Sequence, residues 1–480
     1  MATIADLTPF VGGRPYTKGE AASVVEPATG LVIGRVPDVG AEGAAAAVRA
    51  AKEAAPGWAA SLPKDRAAAL LALADAMEAR IDEFAELEAR DVGKPLAAAR
   101  GEIASAADKY RFFAGAARTL TTAASAEYKP GITSIVRREP LGVVAAIAPW
   151  NYPMGLTSWK IGPALAGGNT VVLKPALDTS LTALLLAEIA NGILPPGVLN
   201  VVTGSGPGVG AALATHPDVA MVSLTGGTDT GRRLMALAAP TVKKMHLELG
   251  GKAPVLVYDD ADLDAFAAVV RGAVFRNSGQ DCTAATRVYT SPKLRDEVVD
   301  ILTTAAKNIN VGNGFVDDSV EMGPVVSERH RKNVVGFIER ALAGGARAAA
   351  GGGTPDLPGS YVAPTVIVGA EQSSEIVQEE IFGPVVTVLT HDGHEDAVAQ
   401  ANDIAYGLAA SVWTRDIDRA LDAAQRIQAG TVWINDHGPT AAEMPFGGYK
   451  QSGVGRDLSV HAVEDHMQLK HVAVNIRSPR

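Results

Sequence analysis

The stretch FRNSGQDCTAATR, Phe275 to Arg287, holds Cys282, the only cysteine in 480 residues. A lone cysteine cannot close a disulfide within the chain, and a structural zinc site built on several thiolates is excluded as well. Three uses remain: inert packing as a small buried hydrophobe, a bridge to another molecule, or a covalent nucleophile. Three further segments carry side chains of reactive or polar type. APWNYP places Asn151 just past an apolar run, VVLKPA places Lys174 at the end of another, and LELGGKAP carries Glu248. Singly, each has an ordinary reading. Asn before an aromatic residue and Pro is a turn residue, KPA is a strand exit, and GG is a turn.

Composition limits what these residues can serve. The chain is 47% hydrophobic and 20% charged, which suits a large buried core, and its net charge is −10. No run of Lys and Arg offers a nucleic-acid surface. The first twenty residues lack a basic start followed by an apolar core, so no signal peptide is expected. No stretch reaches the roughly 18–20 apolar residues of a membrane helix. With a single cysteine, these features lead to an expected cytoplasmic location. No metal site is expected.

The elements that must position the four segments follow from periodicity. The Ala-rich residues 41–55 read as helix. So does KDRAAALLALADAMEARIDEFAELEARDVGKP, where Leu70, Leu73, Met77, Ile81 and Phe84 fall at helical spacing and Gly93 with Pro95 gives the stop. EIASAADKYRFFAGAARTL reads as a further helix. Beyond Arg137, LGVVAAIAP, NTVVLKP, GVLNVVTG, VAMVSLTG and APVLVYDD form apolar runs separated by helical patterns, as in a parallel sheet covered on both faces. A second alternation begins near Ala261 with TRVYTSP, PTVIVG, VVTVLT, ASVWT and TVWIN. TTAASAEYKPGITSIVRREP reads as a strand-forming excursion and QLKHVAVNIRSPR as another strand. They are expected to pair with each other or with a second subunit, because an unpaired strand is an aggregation hazard.

Together and in this order, the four segments resemble the aldehyde dehydrogenase superfamily. LELGGK and GQDC at this spacing carry the resemblance, and EEIFGPV and PFGGYKQSG add to it. It implies an α/β fold of two doubly wound parallel-sheet domains, a Rossmann-like cofactor domain and an α/β catalytic domain, with a small β oligomerisation segment. The expected boundaries are 1–117 and 139–249 for the NAD(P)-binding domain, 250–450 for the catalytic domain, and 118–138 with 451–480 for oligomerisation. Homotetramers or homodimers are expected.

The resemblance also implies roles. Cys282 is the nucleophile, Asn151 and the Cys282 backbone N–H hold the oxyanion, and Glu248 is the base for thioester hydrolysis. Lys160 and Asp457 resemble a proton-relaying pair behind that glutamate, where the family more often has Glu at the second position. For the cofactor, a helix N-terminus in LTGGTDTGRR suits a pyrophosphate. Trp150, Lys174, Gly208, Thr225, Gly226, Gly227, Gly231, Leu249, Glu380 and Phe382 are the expected cofactor residues, with Gly227 where the family commonly has serine. Leu177 stands where NAD-preferring relatives often carry glutamate. No Arg or Lys stands beside it to hold a 2′-phosphate, so NAD is expected, with NADP the alternative.

Within the superfamily the likeness is greatest to aminobutyraldehyde dehydrogenases, which act in putrescine breakdown. It is carried by DKYRFFAGAARTL, TSIVRREPLGVVAAIAPWNYP, GQDCTAA and AEMPFGGYKQSGVGRDLS. This implies 4-aminobutanal as substrate. Asp108 is the expected partner of its ammonium, and Tyr110, Tyr152, Trp159 and Trp433 are the expected walls. The alternatives are betaine aldehyde, a general aliphatic aldehyde, and a non-catalytic relative that keeps only the fold. Succinate semialdehyde would need a basic anchor that the sequence does not place.

Overall fold

The computed structural model describes residues 7–122 and 125–477. Two parallel sheets organise an α/β fold. In the first, strands Leu199–Val201, Thr170–Lys174, Val143–Ile147, Val219–Thr225 and Lys244–Glu248 lie side by side in that order. Val143–Ile147 and Thr170–Lys174 are buried along their whole length, which is why they read as unbroken apolar runs rather than alternating ones. Short antiparallel strands extend both edges, Phe10–Val11 on one side and Gly453–Val454 on the other.

The second sheet runs Arg347–Ala350, Thr365–Val368, Val385–Thr390, Ala285–Thr290, Ala253–Val257, Ala409–Trp413 and Thr431–Ile434. All neighbours are parallel except the first pair. Periodicity grouped the APVLVYDD run with the first alternation, while the expected boundary at 250 put it in the second domain; the grouping is corrected, since Ala253–Val257 sits inside the second sheet. Only residues 249–252 separate Glu248 from Ala253. A return to the same parallel sheet needs a crossover of roughly a dozen residues, so the chain must leave for the other sheet.

The long helix expected after Lys64 is two, Pro63–Ala79 and Ile81–Val92, with Arg80 at the break (φ −119°, ψ 26°). Leu70, Leu73, Met77 and Phe84 are fully buried, as their spacing requires, and Gly93 closes the second helix in the left-handed conformation. The excursion and the tail pair with each other. Ile132–Pro140 lies antiparallel to Met467–Asn475 on one side and to Ala126–Lys129 on the other. Among the described residues no helix is long and apolar enough to cross a membrane.

Register places the chemistry. Ile147 pairs with Lys174, and Thr225 with Glu248, so the first sheet's central strands end level. The residues that follow, Trp150, Asn151, Gly226 and Leu249, gather at the carboxyl edge, where such sheets bind ligands.

Candidate active site

Cys282 follows a short turn held in an unusual backbone shape. Asn277, Ser278 and Gly279 all have positive φ (49°, 59° and 68°). Two successive non-glycine residues in this region persist only where surrounding bonds over-determine them. Ser278 Oγ donates to Gly323 O at 2.8 Å, Gln280 Nε2 donates to Asn277 O at 2.9 Å, and Gln280 Oε1 accepts from Val326 N–H at 2.8 Å. Asn151 is bound into the same turn: its Nδ2 donates to Gln280 O at 3.1 Å and its carbonyl accepts from Asn277 Nδ2 at 2.9 Å. One amide hydrogen of Asn151 remains for a ligand. The linking residues 249–252 form the floor. A Cβ at Gly251 would fall 2.2 Å from Cys282 O, so only glycine allows this approach.

Glu248, at the end of its strand, is buried, and neither carboxylate oxygen has a hydrogen-bond partner among the described residues. Burial pushes its carboxyl up to about 8, opposed by the charge of Lys160 and reinforced by Asp457. Half-buried Cys282 is pushed well above the ordinary thiol range, first by burial and then by the charge of Glu248. Behind Glu248, Lys160 Nζ reaches Asp457 Oδ2 at 2.7 Å, with both side chains fully buried. The shorter aspartate therefore closes the expected pair.

Two cavities meet at Cys282. The first, about 210 Å³, is lined by Asn151, Thr225, Gly227, Leu249, Glu380 and Phe382, among others. Its elements fit a dinucleotide. The 11-residue helix Thr228–Ala238 opens toward it with Gly227 as N-cap and no side-chain cap, which leaves backbone N–H groups for an anion. A Cβ at Gly227 would meet nothing within 4 Å, so the missing serine is not a matter of space. Gly231 lets this helix approach Leu249, since a Cβ there would lie 2.7 Å from both Leu249 methyls. Glu380 accepts from Gly251 N–H at 2.9 Å, and burial pushes its carboxyl up to about 7. Phe382 (φ 57°) meets Trp150 edge-on at 5.1 Å. Lys174 is buried, donates to Pro175 O at 3.0 Å, and is lowered to about 8 by burial against the charges of Asp38 and Asp178. Gly208 lies in the turn Gly206–Gly210, whose Gly210 faces the Lys174 stem. Leu177 packs on the core, so the acids near Lys174 are Asp38 and Asp178, which disfavour a 2′-phosphate.

The second cavity, about 420 Å³, is walled by Tyr152, Trp159 and Phe446 around Cys282. Ala98, Gly101, Glu102, Ser105 and Lys109 of helix Leu96–Thr119 line it at i, i+3/i+4 spacing, so one face of that helix forms the wall. The structure does not bring three expected residues to this cavity. Asp108 lies one position off the lining face and is exposed. Tyr110 is turned into the core and fully buried. Trp433 is half-buried outside the wall, its Nε1 donating to Pro439 O at 2.9 Å. Sequence reasoning missed Lys109, Arg276 and Asp281, which do line the cavity, and His330, which bonds Phe382 O at 2.7 Å. Adjacency to Cys282 was the available signal for Asp281. Arg276 and Lys109 stand in the quoted stretches FRNSGQDCTAATR and DKYRFFAGAARTL, but no pattern there marks them, and His330 stands in no motif.

Comparison with known proteins matches residues 16–472 to a model described as the aldehyde dehydrogenase family. The chain is similar to a zebrafish (Danio rerio) protein named 2-aminomuconic semialdehyde dehydrogenase, 39% identical over 477 residues and 98% of each chain. Among solved structures it is similar to a Bacillus cereus aldehyde dehydrogenase in its NAD+ complex (39% identity, TM-score 0.97, 99% and 98% of the two chains). It is also similar to Staphylococcus aureus betaine aldehyde dehydrogenase in complex with NAD+ (36%, TM-score 0.96, 99% and 96%).

Proposed function

The chain belongs to the aldehyde dehydrogenase family and is an NAD-dependent oxidoreductase acting on aldehydes; from that premise we propose that its substrate is an aminoaldehyde such as 4-aminobutanal, anchored by Asp281 rather than Asp108. The carrying observation is the state of Asp281. Its carboxylate accepts from Tyr152 Oη at 2.7 Å, Thr283 N–H at 2.8 Å and Thr283 Oγ1 at 2.7 Å, with no cation paired to it among the described residues. An unneutralised carboxylate beside Tyr152 and Trp159 attracts a protonated amine.

In the reaction we infer, the Cys282 sulfur bonds the aldehyde carbon and its proton passes to Glu248. Burial disfavours a free thiolate, so proton loss accompanies attack. The Asn151 amide and the Cys282 backbone N–H hold the oxyanion. Bound NAD supplies the acceptor for the hydride that leaves the adduct carbon, and a thioester remains. Glu248 releases that proton to solvent and then takes one from water as the hydroxyl bonds the acyl carbon; the carbon–sulfur bond breaks, the departing sulfur takes the proton back from Glu248, and the acid leaves. Gly226, Gly227 and the following helix would hold the pyrophosphate, Lys174 and Glu380 the two riboses. The exposed Leu469 and Val474 on the strand Met467–Asn475 support assembly as a homodimer or homotetramer.

A second reading has its own observation. Lys109, whose bonded partner is the Ser105 hydroxyl, and exposed Arg276 carry no ion pair among the described residues, and both line the cavity. They suit an aldehyde bearing a carboxylate, the class to which the semialdehyde in the zebrafish relative's name belongs. The test is kcat/KM with NAD for 4-aminobutanal, betaine aldehyde, butanal and succinate semialdehyde, in the parent and in Asp281→Asn. The aminoaldehyde reading requires 4-aminobutanal to be best and to lose selectively on Asp281→Asn. A preference for succinate semialdehyde abolished by Lys109→Met would replace it. Cys282→Ala should fold and turn over none of them, and activity in that variant would end the mechanism.

A further inference from the structure

We propose that His246 is a positioning residue for thioester hydrolysis, fixing the Lys160 ammonium between Asp457 and the base Glu248. The inference rests on the reading of Glu248 as that base. His246 and Glu248 stand two apart on the strand Lys244–Glu248, so both side chains leave the same face of the sheet. Helix Pro153–Ala166 brings Lys160 against that face. His246 Nδ1 lies 3.5 Å from Lys160 Nζ and 3.0 Å from the hydroxyl of Ser223, its partner in the neighbouring strand. An ammonium only donates, so Nδ1 accepts and Nε2 carries the proton. Nε2 faces Asp457 Oδ1 at 3.7 Å, the one oxygen of that carboxylate left without a hydrogen bond. The imidazole thus addresses both halves of the buried ion pair.

The chain also keeps room for the ring. Gly455, at φ +92°, would place a Cβ 2.2 Å from His246 Cδ2. The titratable groups around the imidazole are Lys160 on its helix, Asp457 and Asp465 from the C-terminal segment, Lys244 on its own strand, and His466, whose ring centre is 5.8 Å away. Burial holds both imidazoles neutral, lowering each to about 3, so His246 adds a hydrogen-bond acceptor without adding charge. Loss of that acceptor frees Lys160, whose charge opposes the upward shift of Glu248. Hydrolysis should then need a higher pH.

The experiment isolates deacylation from cofactor chemistry. 4-Nitrophenyl acetate acetylates Cys282 with release of nitrophenolate, and mass spectrometry follows loss of the acetyl group between pH 6 and 10. Four proteins are compared: parent, Glu248→Gln, His246→Asn and His246→Gln. The Asn side chain reaches the Nδ1 position, whereas Gln reaches the Nε2 position. The expected result is a deacylation profile in His246→Asn close to the parent's. His246→Gln should have its midpoint about one pH unit higher and its rate at pH 7 about tenfold lower, one pKa unit being a factor of ten. His246→Leu, similar in volume and without a polar atom, replaces His246→Gln if that variant does not fold and carries the same expectation. Equal profiles for the Asn and Gln (or Leu) variants overturn the inference. A Glu248→Gln enzyme that deacylates like the parent overturns instead the reading of Glu248 beneath it.

Discussion

Replacing Glu248 by Gln should stabilise the protein while removing its hydrolytic step. The carboxyl titrates at an ordinary 4.5 when exposed and is pushed up to about 8 by burial in the fold. A group whose pKa rises on folding contributes most at low pH, and that contribution is lost as pH climbs through the folded value. Between 4.5 and about 8 the folded chain keeps a proton that the unfolded chain has released, and each pH unit there changes stability by about 1.4 kcal/mol. Ionisable Glu248 therefore costs about 3 kcal/mol at pH 7 and about 4 kcal/mol at pH 8, where the folded group is half ionised, relative to a neutral side chain of the same shape. Burying the Gln amide adds a constant term, which cancels when two pH values are compared. Urea unfolding of parent and Glu248→Gln at pH 5 and pH 8 should show the variant's relative stability rising by about 3.5 kcal/mol between them. A difference that stays flat across this range would refute the burial argument, because nothing else in the substitution titrates there. The same variant should accumulate acyl-enzyme.

Other outcomes follow from single contacts. Gly250→Ala would set a Cβ 2.4 Å from Glu380 Oε2; KM for NAD should rise about tenfold, the scale of one charged hydrogen bond, while ester acylation of Cys282 is unaffected. KM for NAD in the parent should fall as pH rises through about 7, where Glu380 ionises; a flat KM from pH 6 to 8 would remove that carboxylate from cofactor binding. Lys160→Met should destabilise by about 3–5 kcal/mol by stranding Asp457 in the core, and Lys160→Met with Asp457→Leu should recover most of this in chemical denaturation.

Much of this arrangement was legible in the sequence, for reasons that differ by residue. Strands buried on both faces are apolar at most positions, so LGVVAAIAP and VVTVLT, despite the two threonines of the latter, announce themselves. Cys282, Glu248 and Asn151 stand in short motifs, and the structure gathers the elements that carry them. Register is harder to read. One helical step of about 100° separates Asp108, facing solvent, from Lys109, facing the cavity. Nothing in the local pattern fixes that phase without knowing where Pro153–Ala166 packs. Assigning Ala253–Val257 to its sheet required counting the linker rather than reading the strand. His246 and His330 were invisible because their partners, Lys160 and Phe382, lie 86 and 52 residues away.

The linker has a mechanical consequence. Residues 249–252 are the direct covalent tie between the ends of two sheets, and they also carry the wall shared by thiol, base and cofactor cavity. Spreading the sheets to admit or release a dinucleotide would load this four-residue tether in tension, with Glu248 anchored at one end and Gly251 pressed against the Cys282 carbonyl near the other. The molecule has no slack loop there to absorb the displacement. Cofactor exchange and the spacing of the reacting groups therefore both bear on this tether, so a change that stiffens or lengthens it should alter both together.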